Sequence, residues 1–110
     1  MKITPELQQF EQDMWRQEES WRERRAARLR DPEVRKWLEA VQDAARVFKS
    51  RWTIMDLGFA DPDALHRLHE LDGLLEQALV EGSLADIERR AAVACRCWAE
   101  AVAFLERRSE

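Results

Sequence analysis

The sequence predicts an all-α fold, a small antiparallel bundle of four helices. Three observations carry this. Only 3 Gly and 3 Pro occur in 110 residues, so few positions interrupt regular structure. Ala, Leu, Glu and Arg dominate, and these are strong helix formers. Apolar residues recur at steps of three and four, without the alternation of a half-buried strand. The spacing places helices at about 5–30, 32–57, 62–81 and 84–108. A chain this long supports one core. The reading is therefore a single domain over 1–110, with 31–110 as the core bundle and 1–30 as an interaction arm.

The first predicted helix starts at Thr4, a good cap, followed by Pro5 and Glu6, which suit the first turn. Ile3 and Leu7 are spaced to clasp that start. Its apolar face runs Leu7, Phe10, Met14 and Trp21, with Trp15 beside it. Gln17 and Glu18 interrupt it, so this helix reads as weakly packed or protruding. Residues 6–23 hold six acids and two arginines, and 24–30 hold four arginines and no acid. That order suits the helix dipole.

Asp31-Pro32-Glu33 combines a cap, a first-turn proline and an acid, which predicts a turn rather than one long kinked helix. The second helix carries the longest stripe: Val34, Leu38, Val41, Ala45, Phe48, Trp52 and Met55. It is the expected centre of the core, shared with the third and fourth helices. Gly58 is placed to end it in a left-handed conformation, with Phe59 tucked into the core behind it. Asp61-Pro62-Asp63 starts the third helix, whose stripe is Leu65, Leu68, Leu71, Leu75 and Leu79. Gly73 within it suggests close approach of a neighbouring helix. Gly82-Ser83 joins this helix to the fourth as an αα-hairpin, with Ser83 and Asp86 forming a capping box. The fourth helix presents Leu84, Ile87, Ala91, Ala94, Trp98, Ala101 and Leu105.

The net charge is −4, unlike a generic nucleic-acid coat protein. No stretch approaches the ~20 apolar residues of a membrane span, and MKITPELQQFEQD lacks the apolar run of a signal peptide. Cys95 and Cys97, two apart on a helix, point about 200° away from each other, which fits a reducing compartment better than a disulfide scaffold. A cytoplasmic protein is expected.

No cofactor, metal or catalytic site is expected. His66 and His69 lie three apart and could share a metal face, but no second ligand motif joins them. No Gly-rich loop or nucleophile constellation is present. The expectation is a non-enzymatic protein–protein interaction module. It would bind a partner protein, or itself as a homodimer, through Phe10, Met14, Trp15 and Trp21, with Arg24, Arg25 and Arg28 as a rim and Trp37 adding an outer face. Tryptophan and arginine often dominate such interfaces. One alternative is nucleic-acid binding by the basic stretch Arg22–Lys36, where aromatics interleave with arginines. The other is a small acidic inhibitor of the kind that antagonises mobile elements. It would dock Asp63, Glu70, Asp72 and Glu76 into a basic groove of a nucleic-acid enzyme.

Overall fold

The computed structural model describes residues 4–109, and its regular structure is entirely helical. The helices are α1 (Pro5–Arg28), α2 (Pro32–Lys49), α3 (Ile54–Ala60), α4 (Pro62–Glu81) and α5 (Leu84–Arg108). The proposed clasp between Ile3 and Leu7 involves a residue outside the described ones.

Each start follows from local chemistry. The Thr4 hydroxyl accepts from Leu7 N–H at 3.3 Å. The Asp31 carboxylate accepts from Glu33 N–H at 2.9 Å, and Pro32 opens α2, so residues 5–49 form two helices separated by a turn. Asp61 caps α4, accepting from Ala64 N–H at 3.1 Å. Ser83 and Asp86 close a reciprocal capping box at the head of α5.

The helix count corrects the expectation of a second helix running to residue 57. That helix ends at Lys49, and a new one begins after Thr53. Thr53 and Asp56 form a capping box, with the Thr53 hydroxyl accepting from Asp56 N–H at 3.1 Å and the Asp56 carboxylate from Thr53 N–H at 2.8 Å. Thr53 is extended, with φ −99° and ψ 163°, which breaks the helical phase. Met55 therefore leaves the stripe and is exposed. Phe59, expected in the core, is 82% exposed. Gly58 lies inside α3, and no described glycine has positive φ.

The packing centre also differs from expectation. α5, rather than α2, is the common element. α2 and α4 both pack along it, and α3 meets it near its C-terminal end. One apolar cluster joins Val34 and Val41 to Leu75, Ala78, Leu79, Ile87, Ala91 and Ala94. A second joins Phe48, Leu57, Leu68, Ala101 and Leu105. Trp98 packs against both, and its ring is 5.3 Å from that of Phe48, tilted by 54°. Among the described residues no polar or charged residue is buried. Gly73 has open space where a Cβ would sit, so no helix packs closely there, contrary to expectation.

The molecule is extended. Its radius of gyration is 18.2 Å and its extents are 62 × 39 × 19 Å, whereas a compact chain of about this size has a radius near 13 Å. α1 contributes no buried residue to the core.

Candidate interaction surface

α1 is held at one end only. Near its C-terminus the Arg25 guanidinium donates twice to Glu76 on α4, at 2.8 and 3.0 Å. Arg28 donates to the Gly82 carbonyl at 2.6 Å. Trp21 and Leu29 are half-buried, and Leu29 packs against the first apolar cluster. Residues 5–20 are exposed throughout. At 1.5 Å per residue this free stretch is roughly 24 Å long.

The free stretch is amphipathic. Leu7, Phe10, Met14, Trp21, Arg25 and Arg28 follow one another at steps of three, four or seven, so they share one face. That face lies against α4 near Arg25 and is bare further out. Leu7 is 54% exposed, Phe10 61%, Met14 47% and Trp15 68%. Single exposed apolar residues are ordinary, whereas Leu7, Phe10 and Met14 follow one another along one face. Burying the exposed remainder of each would contribute about half of the 1.5–3 kcal/mol that full burial of such a side chain gives.

The remaining sequence-predicted residues do not extend the bare part of this surface. Arg24 is exposed, but Arg25 and Arg28 are committed to α4 and its C-terminal cap. Trp37, expected to present an outer face, is half-buried and packs with Leu29 and Leu38 against the first cluster. The basic stretch from Arg22 to Lys36 is thus split between solvent and the body. Glu18 and Arg22 approach to 3.9 Å, both well exposed, a pair of negligible strength.

The acidic residues of α4 fall on two faces. Asp63 and Glu70 share one, and His66 Nε2 lies 3.3 Å from Glu70. Asp72 and Glu76 share another, about 200° round the helix from Glu70, and Glu76 is held by Arg25. His69 is exposed, and no group of three or more His, Cys, Asp or Glu among the described residues could hold a metal. Cys95 and Cys97 are free and half-buried, in different clusters. Burial pushes the Cys95 thiol pKa up.

Sequence reasoning missed two surfaces. Met55 and Phe59 form an exposed pair on α3, a consequence of the helix break. The other is a cleft of about 270 Å³ between α2 and α4. Val41, Ala45, Leu65, Leu68, Ala94 and Trp98 line it together with the polar Gln42, Lys49, His69 and Asp72, and the Lys49 ammonium lies 5.9 Å from the centre of the Trp98 ring. Its signal was indirect: a first helix with too short a stripe leaves part of a three-helix core uncovered.

No helix among the described residues is long and apolar enough to cross a membrane. Comparison with known protein families, characterised proteins and solved structures finds no match.

Proposed function

We propose that this chain is a non-enzymatic helical interaction module that binds protein through the free part of α1. One observation carries the reading: Leu7, Phe10, Met14 and Trp15 are all solvent-exposed on a helix attached to the body only near its C-terminus. Anchors at i, i+3 and i+7 are the pattern by which an amphipathic helix enters an apolar groove. Arg16 and the carboxylates flanking the row supply the polar rim. The α2–α5 body serves as a mount that fixes the root of the arm.

The test is Phe10→Ala/Trp15→Ala in the full chain. Both side chains are exposed, so the melting temperature should stay within about 5 °C of the wild type. Capture from lysate of the source cell should lose the proteins that the intact chain retains. An unchanged set of captured proteins would refute the reading.

A further inference from the structure

Resting on the reading of α1 as a docking element, we infer that its partner is a different protein, one that presents an apolar strip edged on both sides by lysine or arginine. The inference follows from where the arm keeps its charge.

Charge is segregated along the chain. Residues 5–20 hold five carboxylates and one cation, Arg16, a net of −4. That equals the net charge of the whole protein, and the other residues hold 17 of each sign. Charge is also segregated around the helix. At about 100° per residue, Glu6 and Asp13 border the row of Leu7, Phe10 and Met14 on one side, and Glu11 and Glu18 border it on the other, each within roughly a quarter-turn. The far face carries Gln8, Gln9 and Gln12, with Arg16 and Glu19 cancelling each other. The helix dipole favours acids in the first turn whichever side they take. Solubility alone would put charge opposite the apolar row. Neither accounts for four carboxylates along its borders. All four are exposed. Among the described residues the one cation in ion-pair range of them is Arg22, 3.9 Å from Glu18, and Asp13 accepts from the Gln9 amide at 3.0 Å.

A docked helix sets its borders, not its far side, against the rim of the surface that receives it. Carboxylates there gain encounter rate and register from facing cations, and lose both against facing anions. This selects among occupants. A second copy offers the wrong sign. Its arm carries the same −4, and α2 and α4, which flank its cleft, hold eight carboxylates against five cations. Nucleic acid and anionic lipid surfaces are negative as well. A strip edged by lysine or arginine on another protein satisfies the row and both borders together. It need run only roughly 18 Å, the rise from Glu6 to Glu18.

The experiment titrates the full-length protein into two labelled synthetic helices about three heptads long. Both carry one leucine row, bordered by lysine in one and by glutamate in the other, and fluorescence anisotropy reads binding. The wild type should bind the lysine-edged helix about tenfold or more tightly than the other. Most of that difference should vanish at about 0.5 M salt, where screening leaves a reach of only a few ångströms. Glu11→Gln should weaken binding severalfold. Glu19→Gln, the same change of charge on the far face, should leave it unaltered. Both positions are exposed, so the two variants should melt alike. Phe10→Ala/Met14→Ala should weaken binding at either salt concentration. The inference is overturned by equal affinity for the two helices, by binding to neither, or by equal effects of Glu11→Gln and Glu19→Gln. It is overturned as well if light scattering finds a wild-type dimer that Phe10→Ala/Met14→Ala dissociates, or if the arm retains the protein on phosphatidylserine vesicles or DNA. The docking reading is judged separately, by the Phe10→Ala/Trp15→Ala capture.

Discussion

Two glycines show how one residue type answers opposite needs. Gly82 ends α4 with φ −85° and ψ 170°, a conformation open to any residue. Its requirement is steric. A Cβ there would lie 2.9 Å from the Ala78 carbonyl oxygen and 3.0 Å from the Ala78 Cα. Both are backbone atoms and cannot turn aside. Gly82→Ala should therefore destabilise the fold by about 1–3 kcal/mol, as overpacking does, even though α5 keeps its own cap. Gly73 is the reverse case. It lies mid-helix with nothing within 4 Å of its absent Cβ. Gly73→Ala should stabilise by about 0.5–1 kcal/mol through helix propensity, raising the melting temperature by several degrees. Thermal melts of both variants check the pair. Sequence alone identified Gly82 as a terminator but not the carbonyl that requires it. It assigned Gly73 to close packing because spacing along one helix carries no information about which flank a neighbour occupies.

At the scale of elements, caps decided the architecture where stripes misled. Val34 to Met55 keeps helical spacing through Phe48, Trp52 and Met55, and that continuity predicted one helix. The break is nevertheless written in the chain as Thr53-x-x-Asp56, the same box as Ser83-x-x-Asp86. A two-bond cap outweighed an unbroken apolar row, because beyond Trp52 the row had only Met55 left to bury. The free arm was legible from the thinness of its stripe. The cleft left only an indirect trace, the short stripe of that first helix. Asp86 gives this scale a pH signature. The hydrogen bonds that its carboxylate makes with the Ser83 backbone N–H and side chain, with a smaller contribution from Arg89, hold its pKa below the ordinary 3.8. A depressed folded-state pKa stabilises above the unfolded value and loses that contribution as pH falls through the folded value. Melts from pH 7 downward should be flat with respect to this group to about pH 4 and then decline. Asp86→Asn should decline less steeply over the same range. A slope identical to wild type would show that the box does not bind its proton differently on folding.

For the whole molecule, shape is the measurable claim. A monomer with the free arm should scatter with a radius of gyration near 18 Å, well above the ~13 Å of a compact chain of this length. Small-angle scattering extrapolated to zero concentration checks this without interference from association. A value near 13 Å would mean that α1 lies against its own body in solution. The standing of α5 has a further consequence, in time rather than space. Its partner α4 is next to it across Gly82-Ser83, whereas α2 meets it only after a loop of some fifty residues closes, as Val34 and Ile87 in one cluster show. Loop closure of that length must be met before its contacts form. The α4–α5 hairpin should thus be structured in the folding transition state, and α2 should dock later. Core substitutions at Leu79 or Ile87 would then slow folding. Equally disruptive ones at Val41 would instead hasten unfolding.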